Sequence, residues 1–223
     1  AVRYSLISDE LDINGSVEFT SSDARLTSVG TFVPDFSGIT KPQKAVLTLA
    51  MGELHNSYVF WLYPQTDVEI TENGIKTADD ELIFTDSVEK AKVLIASGKK
   101  AMVITDGSNA IENAYCADFW NYHMFRVISE SMNKPVAPGT MGLLIDKNDK
   151  LLSAFPCEKF TTPQWYEAVT HSKADILDDT PNVTPIVQVV DNTERCHRLG
   201  MLYKKNGILH CSIRVWEAAD VPE

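Results

Sequence analysis

Residues 82–105 restrict the fold of this chain more than any other stretch. They read LIFTD-SVEKAKVLIAS-GKK-AMVIT. Leu82 to Thr85 is a short apolar run of strand type. Asp86 is expected as a helix N-cap, with Glu89 three residues later to complete a capping box. Val88, Ala91, Leu94 and Ile95 recur at helical spacing and give one apolar face. Gly98 ends the helix, and two lysines stand near its C-terminal end, where the dipole favours cations. Ala101 to Thr105 is again strand-like. Strand, helix and strand make a βαβ unit, which calls for a parallel pair with a right-handed crossover. The spacing therefore predicts a doubly wound α/β domain over residues 67–223.

Nothing earlier in the chain has this pattern. Val2 to Ile7 alternates, Asn14-Gly15 is a turn signal, and Ala45 to Leu49 is strand-like. Tyr58 to Tyr63 is the strongest β segment, stopped by Pro64. Short strands at this spacing predict a β-sandwich over residues 1–66. That length is small for a complete sandwich, so its first strands are expected to be missing. Residues 66–81 are acidic and polar, a linker or an edge strand. In the second half, residues 110–134 are rich in aromatics without a clean period, and Met141 to Ile145 reads as a short strand. Thr162-Pro163 opens a helix as N-cap and first residue. Pro185 to Val190 is a near-continuous apolar run, as in a strand buried on both faces. Asn206-Gly207, between two apolar segments, is a hairpin signal.

With 44% apolar and 23% charged residues in 223, the chain is of globular composition. A net charge of −11 argues against nucleic acid or an anionic membrane as a partner, since both need a basic face. No apolar run reaches the ~18 residues of a membrane-spanning helix. The absent initiator Met suggests an excised piece of a longer protein. The four cysteines, at 116, 157, 196 and 211, have no zinc spacing and are expected as free, mostly buried thiols.

Candidate chemistry is sparse. Ser108 follows a strand, but Asp106-Gly107-Ser108-Asn109 is not a nucleophile elbow, and a turn serine is the default reading. The five histidines are scattered, so no metal site is expected. One glycine in that loop falls short of a dinucleotide fingerprint, so no cofactor is expected. Trp120 and Trp165, beside expected loops, are the candidates for stacking on sugar rings, whereas Trp61 in its β alternation reads as core or interdomain. Asp191-Asn192 follows the buried run 185–190 and would stand at the carboxyl edge of a parallel sheet, where α/β ligands bind. A loop-capping role for that pair is the competing reading.

Several segments resemble a known family in the same order. They are Ala154-Phe155-Pro156-Cys157-Glu158, Gln164-Trp165-Tyr166, Pro185 through Asn192 (PIVQVVDN) and Leu199-Gly200-Met201-Leu202-Tyr203. Together they resemble the region after the catalytic barrel in a subgroup of bacterial glycoside hydrolase family 2 proteins of β-galactosidase-like type. The patterns there are F-P-T-E, W-Q-W, R-P-I-V-Q-V-I-D-N and L-G-L-L-F-E. Phe119-Trp120-Asn121 and Gly139 to Leu144 fit upstream signatures of that region. Asn56 to Pro64 is similar to the strand that closes its Ig-like domain. Cys157 replaces the usual Thr, Tyr166 a Trp, and the hairpin at Asn206-Gly207 is shorter.

The resemblance implies an Ig-like β-sandwich portion over residues 1–66. It implies a three-layer, flavodoxin-like or class I amidotransferase-like domain with a mostly parallel sheet over residues 67–223. It implies a non-catalytic accessory region of a glycan-degrading protein, periplasmic or extracellular. The partner would be the catalytic barrel of the parent chain, with carbohydrate contacts at Trp120, Asn121, Trp165, Asp191 and Asn192. No catalytic residue is carried over, because no residue matches a catalytic motif. The competing expectations are a stand-alone α/β hydrolase or amidotransferase-like enzyme, with a site near Ser108 and Asp191, and a free glycan-binding module.

Overall fold

The computed structural model describes residues 1–20, 26–115, 123–134 and 139–218. The chain forms two compact units, Ala1–Thr66 with Ser153–Pro156, and Asp67–Leu152 with Cys157–Glu223.

The first unit is built on one antiparallel sheet. Its strands are β1 (Val2–Ile7), β2 (Asp12–Val17), β3 (Gln43–Met51) and β4 (Leu54–Leu62), in the order β2-β1-β3-β4. The described residues thus form one layer in place of the two of a sandwich. The segment around Gly30 has no regular structure, although Phe32 stacks on Tyr4 at 4.5 Å. β3 and β4 pair along their full length, Gln43 opposite Leu62 through Met51 opposite Leu54, with no register shift. Gly52, at φ +60°, and Glu53 form the two-residue loop, with glycine where a positive φ is required.

Register sorts the side chains of this sheet, because directly opposed residues share a face. Tyr4, Leu6, Leu47, Leu49, Tyr58 and Phe60 lie on one face. Arg3, Ser5, Thr48, His55 and Ser57 lie on the other, together with Ile7, Val46, Val59 and Trp61. The first face is therefore the more apolar of the two, and the second mixes polar and apolar residues.

The second unit holds a ten-stranded mixed sheet. Its strands are β5 (Glu69–Thr71), β6 (Gly74–Lys76), β7 (Glu81–Thr85), β8 (Lys100–Ile104), β9 (Ala110–Glu112), β10 (Leu143–Ile145), β11 (Lys173–Ile176), β12 (Pro185–Val189), β13 (Leu199–Lys205) and β14 (Ile208–Cys211). The main path runs β10-β12-β13-β14-β8-β7-β6-β5, with β11 on β13 and β9 on β11. The helices are α1 (Val88–Ala96), α2 (His123–Ser131), α3 (Tyr166–Thr170) and α4 (Val215–Ala218).

The βαβ unit forms: β7 and β8 pair in parallel, with α1 between them in sequence. The N-cap is Ser87 rather than Asp86. Its hydroxyl accepts from the Lys90 N–H at 3.3 Å, while Asp86 pairs with the Lys90 ammonium at 3.0 Å. At the other end Gly98 takes φ +84°, and the N–H groups of Gly98 and Lys99 return to the carbonyls of Ile95 and Leu94. That is the Schellman arrangement glycine permits. Ala91, with Val88 and Leu94, packs against Ala101, Val103 and Ile208.

The flavodoxin-like expectation fails beyond this unit. Among the described residues strand outweighs helix by more than two to one, which is mostly β. Only β7–β8 and β8–β14 are parallel; every other described pair is antiparallel. The physical reason lies in connections. Each parallel neighbour linked in sequence needs a long crossover, usually a helix. Elsewhere the connections are short, such as Asn206-Gly207 between β13 and β14, where φ of +52° and +79° marks a tight hairpin. Pro185–Val189 is indeed buried at nearly every position, but between antiparallel neighbours β10 and β13. An apolar run reports burial on both faces and carries no information on strand direction.

Candidate functional site

The chemically richest place in the second unit lies where β8 and β14 end side by side. The Thr105 N–H donates to the Cys211 carbonyl at 3.0 Å and carries the parallel pairing past β8. Beyond it opens a cleft of about 190 Å³, lined among others by Asp106, Glu112, His171, Lys173, Arg214 and Glu217. The Ser172 bridge to Ile213 and the Arg214 N–H bond to the His171 carbonyl, 3.1 Å, hold its two walls together.

The lysine and the arginine of the cleft each already have a carboxylate. Lys173 meets Glu112 at 2.7 Å and Arg214 meets Glu217 at 3.0 Å, while His171 Nδ1 lies 3.0 Å from the Glu167 carbonyl. Such a cleft can hydrogen-bond a small polar molecule, but it presents no uncompensated charge for an anion. The serine hydroxyls are also committed: Ser172 donates to the Val169 carbonyl at 3.1 Å and Ser212 to the Met201 carbonyl at 3.4 Å. Ser108 gives its N–H to Asp106 Oδ1 at 2.8 Å, the Asx turn expected of a turn serine. Cys211 is buried, which pushes its thiol up to about 12, so it stays protonated at neutral pH. Among the described residues no three or more His, Cys, Asp or Glu come together as metal ligands.

One buried acid below this edge escaped sequence reasoning. Asp175 is 7% exposed and accepts from the Tyr203 hydroxyl at 3.2 Å. Burial raises its pKa above the usual carboxylate value, against the lowering effect of the Thr105 and Tyr203 hydroxyls. Thr105 Oγ1 is buried and closes no hydrogen bond of normal geometry, so its help is electrostatic proximity at most. A carboxyl whose folded pKa is raised keeps its proton longer in the folded state. Stability therefore falls as pH rises from the unfolded value, about 3.9, through the folded one. Asp175→Asn retains an acceptor for Tyr203 and cannot ionise. It is expected to be more stable than the parent at neutral pH, with the gap closing below about pH 4. Urea titrations at the two pH values read this directly, and a variant no more stable at neutral pH removes the account.

The sequence-derived candidates are placed as follows. Trp120 and Asn121 lie outside the described residues. Trp165 is 4% exposed, in the 3-10 turn Pro163–Trp165, so its ring face is not open to a sugar. Asp191 and Asn192 do follow β12, where the Asp191 carboxylate and the Asn192 side-chain carbonyl are occupied, while Asn192 Nδ2 is buried without a hydrogen-bond partner among the described residues. The Asp191 carboxylate accepts from Arg195 Nη2 at 2.6 Å, from Arg195 Nε at 3.1 Å and from the His197 N–H at 3.0 Å. Burial opposes its charge, yet the Arg195 guanidinium and the His197 and Asn192 N–H groups together hold its pKa below the usual value. Asn192 Oδ1 accepts from the N–H groups of Glu194 and Arg195 at 3.1 and 2.9 Å. The pair caps the loop to β13, which was the competing reading. Ser108 and Asp191 do not converge: β13 and β14 stand between β8 and β12, a separation of about 14 Å at normal strand spacing.

Cys157 and Cys196 are free and half-buried or exposed, in contrast to the expected burial, while Cys211 is free and buried. No helix among the described residues is long and apolar enough to cross a membrane.

The first unit offers a second kind of site. On the apolar face of its sheet, a groove of about 500 Å³ runs between Tyr4, Val17, Phe32, Leu49, Met51 and Leu54. Leu54 at its rim is 68% exposed, and beyond it Phe60 is 46% and Tyr58 45% exposed. Large apolar side chains in a contiguous exposed patch mark a surface that is covered by something else.

Comparison with known families follows the same division. Residues 2–64 match the family model of a domain of unknown function, DUF8488. No curated protein matches the chain. Residues 82–221, more than half of the chain, match the model of another domain of unknown function and take in most of the ten-stranded sheet with the polar cleft; the chain therefore belongs to the DUF8487 family.

Proposed function

We propose that the chain is a non-catalytic accessory region of a larger glycan-degrading protein, in which the four-stranded sheet is the surface that is held. The observation that carries this is the apolar sheet face with no second layer over Leu54, Tyr58 and Phe60 among the described residues. An antiparallel sheet with one apolar face buries that face against another layer in a finished structure. The occupant in this reading is the catalytic barrel of the parent protein. The glycan connection is supported by the family 2-like segments at 154–158, 164–166, 185–192 and 199–203. A place outside the cytoplasm belongs to the same reading. The neutralised cations and committed serine hydroxyls of the polar cleft accord with a region that leaves chemistry to a partner.

The chain alone is expected to bind an apolar fluorescent dye on the open face, to lose much of that signal in Leu54→Lys, and to turn over no aryl glycoside. Reproducible turnover that survives repurification would overturn the non-catalytic reading. Absence of dye binding would overturn the open face.

A further inference from the structure

The edge of the same sheet makes a sharper statement than its face. Unpaired strand edges attract other strands, and folded proteins blunt them with short length, charge, proline or bulges. Three of the edges here are treated that way. β5 and β10, at the ends of the eight-strand main path of the larger sheet, are three residues each. β2, at one side of the four-stranded sheet, is six residues and carries Asp12 and Gly15. β4 is the exception. It is nine residues long, LHNSYVFWL, with no Asp, Glu, Lys, Arg, Pro or Gly, and its pairing to β3 has no bulge. Among the described residues no strand pairs with its outer side.

Exposure along β4 separates edge from face. Tyr58 and Phe60 on the apolar side are 45% and 46% exposed, and Val59 on the opposite side is 39% exposed. A layer laid over the apolar face would cover only the first two. A strand added at the edge flanks both rows at once.

We propose that β4 pairs antiparallel with β4 of a second copy of this chain, forming a symmetric dimer with a continuous eight-stranded sheet. The copy is the occupant for two reasons. First, β4 is self-complementary. Centring the twofold on Tyr58 pairs all nine residues and keeps each face beside its like. Tyr58 then meets Tyr58 of the partner subunit, Leu54 meets the partner's Leu62, and Asn56 meets the partner's Phe60. On the other face His55 meets the partner's Trp61, and Ser57 meets the partner's Val59. Directly opposed side chains at about 5 Å between Cβ atoms are the stabilising unit of a sheet, and one patch used by both subunits is what a twofold interface requires. Second, the chain carries a net charge of −11, so two copies repel over most of their surface. β4 is an uncharged strip where they can approach. The dimer leaves the apolar face open, so it does not depend on the accessory-region reading, and either can fail without the other.

The test uses the full chain in sedimentation velocity over a concentration series. The parent chain is expected to sediment as a dimer that dissociates on dilution. Tyr58→Lys and Tyr58→Glu each place like charges opposite one another at the twofold, and each is expected to be monomeric. Mixed in equal amounts they place Lys opposite Glu and are expected to regain the dimer. Tyr58 is half-exposed on an edge, and recovery on mixing also excludes misfolding as the cause of the loss. A parent chain that stays monomeric, a Tyr58→Lys chain that still dimerises, or a mixture that stays monomeric while both variants keep the parent circular dichroism would overturn the proposal.

Discussion

Leu199→Ala is expected to lower the stability of the ten-stranded unit by about 2–5 kcal/mol. Leu199 opens β13, is wholly buried, and stands between β12, where it opposes Val189, and β11, where it opposes Ile176. Truncation removes transfer free energy and leaves a cavity whose walls are set by two strand ladders. Val187, Val189 and Met201, also at or near zero exposure, are held by the same ladders and have little freedom to collapse into the space. Urea unfolding followed by far-ultraviolet circular dichroism gives the difference, and a loss under about 1 kcal/mol would place β13 outside the packed core. Met201→Leu, close to volume-conserving, is expected to cost under about 1.5 kcal/mol.

Asp191→Ala is expected to cost about 2–3 kcal/mol, the scale for charged hydrogen bonds lost from a largely buried acceptor. Its side chain is 2% exposed, while Arg195 remains 28% exposed and can rehydrate, which keeps the cost below that of a fully buried pair. The pH dependence runs opposite to that of Asp175. The folded pKa of Asp191 lies below its unfolded value, so its contribution is present above about pH 3.9 and is lost as pH falls through the folded value. Measured as a function of pH, the parent and Asp191→Ala chains should converge in acid. Curves that remain parallel down to low pH would show that Asp191 does not anchor the loop through its charge.

The two acids illustrate how far the site could be read from sequence. Asp191 stands out because it follows an apolar run, but its partners Arg195 and His197 come from the turn beyond it, and that turn is local enough for the capping reading to have been available. Asp175 carries no such signal. It sits in Lys173-Ala174-Asp175-Ile176, an unremarkable alternation, and becomes a buried acid only because Tyr203 of β13 reaches it across the sheet. Trp165 shows the same limit from the other side. Thr162-Pro163 correctly announces a helical start, but whether the indole faces solvent depends on what packs over the turn.

The features legible in residue order are local. The βαβ unit at 82–105 was legible because its strand runs, apolar face and terminating Gly98 all lie within one stretch. So was the hairpin at Asn206-Gly207, where the turn type demands two residues at positive φ. Even there the N-cap moved by one, since Asp86 and Ser87 are both good caps and only backbone geometry, extended at Ser87, selects between them. What the tertiary structure alone decided is which strands meet, and in which direction. β14 lies parallel to β8 although some hundred residues separate them, and β12 is antiparallel on both sides despite an apolar run that suits a parallel sheet equally well. Propensity and periodicity are set by neighbours within a few residues. Strand order and direction are set by pairing energies summed over contacts distant in sequence, and no single segment carries them.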